Sequence, residues 1–193
     1  MKKASIKDKE IVVDILVSAF APLKEDNSVN LIVKQDEHRI IRMRILMDFL
    51  FEKAITFGEI YITENNKACI LLEFSHKDRI TPKTILLDIK LVFKCIGIER
   101  VFKILKRQRI AKRNYPKINH IRPVIMGAKT ETNGRGNAAR LMLEVINHYN
   151  DNKLPVIIDV ASEKNIKMYQ KLGFKIFKKD NTLGFPIYFL KLN

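Results

Sequence analysis

The residues with the most chemical promise lie between His120 and Phe174. Their centre is the run Asn133-Gly134-Arg135-Gly136-Asn137-Ala138, the chain's glycine-dense loop. Two glycines and an alanine remove side-chain bulk where a helical pattern begins, so backbone N–H groups can converge there on an anion. The apolar run 121–128 precedes the loop, and a second apolar run, 155–160, follows the helix. A second helical pattern then ends at Lys171-Leu172-Gly173-Phe174, so the unit reads as strand, glycine loop, helix, strand, helix. A Walker loop would need a lysine and then serine or threonine after its last glycine, where Asn137 and Ala138 stand. A dinucleotide fingerprint would need a strand running straight into the loop and an acid about twenty residues on. Asp159 lies near that distance, but the loop begins too far beyond the strand.

The segment after Asp159, Ala161 to Phe174, resembles the GNAT superfamily of acetyltransferases. That family's pyrophosphate loop has Gln or Arg, two variable residues, Gly, a variable residue, and Gly or Ala. Asn133, Gly134, Arg135, Gly136, Asn137 and Ala138 fill it here, with Asn133 in place of the usual Gln or Arg. The family's next block has Asn, three variable residues and Tyr, then an end like Lys-Leu-Gly-Phe. Asn165, Tyr169 and 171–174 fill that block, while Ala161-Ser162 replace a frequent Ser-Asn. The close match covers about 120–177.

The resemblance implies an α+β fold with a mixed, mostly antiparallel central sheet flanked by helices. A parallel strand pair splays apart to admit acetyl-coenzyme A. By this mapping the backbone of Met126, Gly127 and Ala128 meets the pantetheine arm, 133–138 hold the diphosphate, and Asn165 contacts the arm. Tyr169 stands near the thioester sulfur as general acid, since a phenol with a pKa of about 10 can donate to a thiolate of similar basicity. The implied activity is acyl transfer: N-acetylation of a small-molecule or peptide amine by direct attack in a ternary complex. The proton taker is unassigned, with Glu73 and Asp159 as minor candidates. Two alternatives remain at this stage: a GNAT-like fold that binds coenzyme A without turnover, and a basic nucleic-acid module.

The elements upstream must position this unit. Residues 1–20 read as a short strand or arm and then a helix, with Asp8 as cap. Residues 21–36 read as a loop, and 37–57 as a helix with Ile40, Ile41, Ile45 and Phe49 on its apolar face and Arg39, Arg42 and Arg44 elsewhere. Gly58 reads as a left-handed stop. Residues 59–74 read as a hairpin turning at Asn65-Asn66. Thr81-Pro82 opens a helix with Ile85, Ile89, Val92, Phe93 and Ile96 on one face; Gly97 interrupts it, and a strongly basic helix follows to Arg113. This insert, 81–113, precedes the fourth strand and by resemblance walls the acceptor pocket. Its basic side suits an anionic surface or plain solvation, and with no recognition-helix context nucleic acid is not the expected partner.

At 193 residues the chain suits one acetyltransferase domain, 1–193, with a real core. Its net charge of +15 favours anionic partners such as coenzyme A phosphates. No apolar run approaches the ~20 residues of a membrane span. Cys69 and Cys95 read as buried thiols of a reduced compartment, hence the cytoplasm. The scattered histidines give no metal-ligand spacing, so no metal site is expected. A homodimer is compatible with all of this.

Overall fold

Alternation along the 59–74 hairpin builds the middle of the molecule. A computed structural model describes residues 1–77, 79–132, 135–152 and 154–192. The chain runs β1 (Lys2–Lys3), α1 (Lys9–Phe20), α2 (Ser28–Ile32), α3 (Arg39–Phe57), β2 (Gly58–Ile62), β3 (Ala68–Phe74), α4 (Pro82–Leu91), α5 (Val101–Asn114), β4 (Ile121–Ala128), α6 (Asn137–His148), β5 (Val156–Val160), α7 (Glu163–Lys171), β6 (Lys175–Asp180) and β7 (Ile187–Leu192). One seven-stranded sheet carries them in the order β1-β2-β3-β4-β5-β7-β6. Every neighbouring pair is antiparallel except β4 and β5. This is the mixed, mostly antiparallel sheet expected, with the helical insert before its fourth strand.

The period of two places Ile60, Ile62, Cys69 and Leu71 on one face, where they pack with α1 and α3. Tyr61, Ala68, Ile70 and Leu72 face the other way, against α6 and Phe174. β3 is covered on both faces, which is why its sequence is almost continuously apolar. The hairpin turns at Asn66, whose φ of 54° is the left-handed value a short turn requires. Cys69 and Cys95 are free thiols within the core, and burial pushes Cys95 up to about 12.

Three readings need correction. Gly58 is extended (φ −141°), not left-handed. It is glycine because a Cβ there would lie 1.8 Å from the Leu72 carbonyl oxygen. In α3, Met43, Leu46, Met47, Phe51 and Ala54 face the core, while Ile40 and Ile41 are exposed. The reason is Arg39, which points inward rather than outward. Its guanidinium donates to Gln35 Oε1 (2.7 Å), the carbonyls of Ala21 and Leu23 (2.8 Å each) and Asn30 Oδ1 (2.9 Å). That fastens the 21–36 segment and fixes the rotation of the helix. Finally, Asp8 stands at the N-cap position of α1 but its side chain does not bond to that helix; it closes a capping box on the single 3-10 turn before it, accepting from the backbone N–H of Ser5 (2.8 Å).

Candidate active site

A defect in β4 opens the site. Leu71 pairs with Ile125 but Leu72 pairs with Pro123, so Val124 is an extra, unpaired residue. Proline has no N–H to give the ladder, and a bulge there bends the strand. On its other edge β4 touches β5 at a single pair, Ile121 with Val156, supported by Ile121 N–H to the Pro155 carbonyl (3.0 Å). Beyond it the two strands part.

The gap belongs to a cleft of ≈ 1350 Å³. Val124, Ile125 and Met126 line one wall; Asp159, Val160, Asn165 and Tyr169 line the other. Ile104, Arg107 and Gln108 of α5 close it from above, so the insert does border the cleft.

Tyr169 is held by the end of its own helix. Gly173, at φ +91°, turns the chain from α7 into β6. Phe174 then folds under Tyr169, rings 5.5 Å apart and near-perpendicular, and its N–H returns to the Tyr169 carbonyl (3.1 Å). This is the physical content of the Lys-Leu-Gly-Phe run. Burial, and then the Asp159 charge, push the phenol up to about 12. The group is therefore a proton donor throughout the neutral range.

Asp159 is the hub of an ion network. Arg107 and the Tyr115 hydroxyl both bond to it, and Arg122 Nη2 lies 3.2 Å away. Arg122 also donates to the Tyr115 hydroxyl (3.0 Å) and pairs with Glu73 (3.5 Å), which Lys53 approaches at 3.5 Å. Burial alone would raise the Asp159 pKa, but the two guanidinium charges and the phenol hold it well below the usual carboxylate range. A carboxylate so engaged does not take protons at neutral pH. His120, stacked on Tyr115, is different. Its Nδ1 lies 2.7 Å from the Ile118 carbonyl, an acceptor only, so Nδ1 carries the hydrogen and Nε2 keeps its lone pair. Burial lowers its pKa, which keeps the ring neutral.

At the far end of β4, α6 starts at Gly136, left-handed at φ +72°. A Cβ there would meet nothing within 4 Å, so conformation rather than space demands glycine. Gly136 has no side chain with which to cap the first turn of α6, and no described side chain bonds to it. Its amides are thus free to receive an anion at the positive end of the helix dipole. Arg135 is exposed beside it. Asn133 and Gly134 lie outside the described residues.

Of the residues singled out from the sequence, Met126, Asn165 and Tyr169 share the cleft. Ala128 and 135–138 lie outside its lining. Gly127 turns its Cα to α1, where a Cβ would stand 2.9 Å from the Ala19 Cβ; helix packing, not ligand approach, is its evident constraint. Sequence reasoning missed Arg107, Tyr115, His120 and Arg122. Arg107 was hidden in the basic run of α5, whose other members are also partly used by the fold: Arg100 donates to the Leu31 carbonyl (2.6 Å) and Arg113 pairs with Asp180 (2.9 Å). Among the described residues no cluster of three or more His, Cys, Asp or Glu is placed to hold a metal ion.

A mostly antiparallel sheet that parts at one parallel pair, with a glycine-started helix leaving the parted strand, is the GNAT acetyltransferase fold. The chain is similar to the histone acetyltransferase HPA2 and related acetyltransferase of Corynebacterium glutamicum at 19% identity, over 98% of this chain and 93% of that one, with a TM-score of 0.66. It is similar to the Drosophila melanogaster polyamine N-acetyltransferase at 16% identity, over 100% and 98% of the two chains, TM-score 0.59. It is also similar to the C-terminal condensation domain of Ebony, bound to beta-alanyl-dopamine, at 11% identity, over 99% and 96%, TM-score 0.68. At these identities the likeness is one of fold. No protein-family model and no curated protein sequence matches the chain.

Proposed function

We propose that this protein is an acetyltransferase that moves the acetyl group of acetyl-coenzyme A to an amine of a small molecule or peptide. The observation that carries the reading is the parting of β4 from β5 after Ile121, with the uncapped α6 start at one end and the Tyr169 ring lining the gap. Fold likeness to acetyltransferases, one of them a polyamine N-acetyltransferase, supports an amine acceptor.

The residues present fit the cosubstrate. The strand edge at Met126, Gly127 and Ala128 lacks a β5 partner and is suited to hydrogen-bonding an extended pantetheine arm. The first-turn amides of Asn137 and Ala138, with Arg135 and Gly136, would receive the diphosphate; Asn133 and Gly134 complete that loop in sequence. Asn165 would contact the arm from the opposite wall. When bound, acetyl-coenzyme A supplies an acyl group already activated as a thioester. Tyr169 Oη donates its proton at the sulfur. His120 Nε2 takes the proton that an incoming ammonium must lose. Arg107 and Arg122, through Asp159, hold the walls in register while α5 keeps bulk water out.

The chain is read as a single acetyltransferase domain with the insert 81–113. A cytoplasmic setting is supported by its free, buried thiols, and no helix among the described residues is long and apolar enough to cross a membrane. A homodimer is compatible, and sedimentation velocity decides it. Titration calorimetry with coenzyme A, followed by thiol release from acetyl-coenzyme A across an amine panel, tests the whole proposal. Binding with release supports it; absence of binding ends it, and binding without release for any amine leaves a non-catalytic coenzyme A protein instead.

A further inference from the structure

The helical insert is apolar on two sides, and the outer one is uncovered. In α4, Thr84 and Leu91 are buried and Leu87 is half-buried against the body. Ile85, Leu86 and Ile89, on the opposite side of the same helix, are 48%, 67% and 49% exposed. Phe93, just past its end, is 64% exposed. The pattern recurs in α5: Ile104 and Ile110 face inward, while Phe102 stands 83% exposed. A surface helix normally keeps one apolar stripe, and that stripe is buried; α4 carries a second one on its outer side, between Lys83, Asp88 and Lys90.

Charge selects the occupant. Residues 81–113 carry ten lysines and arginines against two acids, a net +8 out of the chain's +15. Lys90, Lys94 and Lys103 are exposed and make no ion pair with a described residue. Lys83, at the start of α4, reaches Glu52 at 3.3 Å with more than half its side chain in solvent. A second copy of this chain would bring two such cationic faces together. Nucleic acid would accept the lysines but leave Ile85, Leu86 and Ile89 against phosphate and water. An anionic bilayer accepts both.

We propose that the outer side of the insert docks the protein on an anionic lipid surface. Ile85, Leu86 and Ile89 of α4, with Phe93 just past its end, enter the boundary between headgroups and acyl chains, and the neighbouring lysines meet lipid phosphates. The inner side of the same segment lines the cleft through Ile104, Arg107 and Gln108, so docking holds a wall of the cleft at the membrane. This inference stands apart from the enzymatic reading, because its readout is binding.

The test is co-sedimentation of the whole protein with phosphatidylcholine vesicles, with and without about 30% phosphatidylglycerol. Expected is retention on the anionic vesicles at least tenfold above the neutral ones, weakening with salt. The paired change Leu86→Ser with Ile89→Ser keeps every charge, alters only exposed positions, and should lower retention about tenfold. Reversing Lys90 and Lys94 to Glu should lower it about as much or more. The proposal is overturned by any of four results: no retention on anionic vesicles, retention unaltered by L86S/I89S, a dimer that L86S/I89S converts to monomer, or tighter binding to a duplex oligonucleotide that the same pair abolishes. Far-ultraviolet dichroism of each variant confirms that folding is retained.

Discussion

Tyr169 and His120 face one cleft with opposite proton habits. Phenylalanine at 169 keeps the ring on Phe174 and removes only the hydroxyl. Tyr169→Phe is expected to lower kcat by about 10²–10³-fold while KM for acetyl-coenzyme A moves by less than about threefold; steady-state kinetics check it, and an unaltered kcat removes Tyr169 from the chemistry. His120 must be neutral to accept a proton, and burial holds its folded pKa below the ordinary histidine value of 6.5. Activity should therefore fall as pH drops through that lowered value and hold above it. A His120→Gln variant should be about 10²-fold slower and lack this acid limb; a limb that survives the change belongs to another group. Asp159 was readable as an acid on a strand, but not as an ion-network hub. Its partners Arg107 and Arg122 lie 52 and 37 residues away in sequence, and no local pattern brings them together.

Elements carry the half of the cleft proposed to hold the cofactor. The α6 start was legible because a left-handed Gly136 is a local demand that one residue type meets. So was the end of α7, where Gly173 makes the same demand. The face of α3 was not legible. Ile40 and Ile41 are as apolar as the residues that are buried, and the choice between faces rests on Arg39 reaching carbonyls in a loop up to 18 residues earlier. The bulge at Val124 likewise leaves no mark beyond Pro123, which by itself fits an edge strand equally well. At the element scale the sharpest expectation concerns Gly136. Gly136→Val forces a β-branched side chain to φ +72°. Coenzyme A affinity should fall by about tenfold or more by calorimetry, while affinity for pantetheine, which lacks the diphosphate, should stay within about twofold. Equal losses for both ligands would place the diphosphate elsewhere.

For the whole molecule, the net charge of +15 makes low pH costly, because each carboxylate that protonates adds to the repulsion. Glu59 shows how the fold resists. Burial pushes its pKa up, but hydrogen bonds from Tyr149 (2.5 Å) and Tyr61 (2.6 Å) and the Lys3 ammonium at 2.9 Å outweigh that and hold it at about 2. The folded value is below the ordinary glutamate value of 4.5, so its stabilisation is complete above that pH and is lost as pH falls towards about 2. Glu59→Gln is expected to cost about 1–2 kcal/mol at neutral pH and to flatten the decline of the thermal midpoint across that acid window. Parallel scans of both proteins check it; identical slopes would mean that Glu59 is not the titrating group.

The lone backbone pair between Ile121 and Val156 has a mechanical consequence. A sheet normally shares load along whole ladders, yet here the ladder between β4 and β5 is a single rung, and the halves of the sheet are held together instead by side chains: the ion network on Asp159 and the buried cluster in which Ile70, Leu72 and Ile121 meet Val156, Ile158 and Leu190. With that rung as the pin from which the two strands diverge, a thin ligand slid between them would act as the missing ladder. Amide exchange across Val124–Ala128 should slow when such a ligand binds, with the strongest change at the tips farthest from the pin.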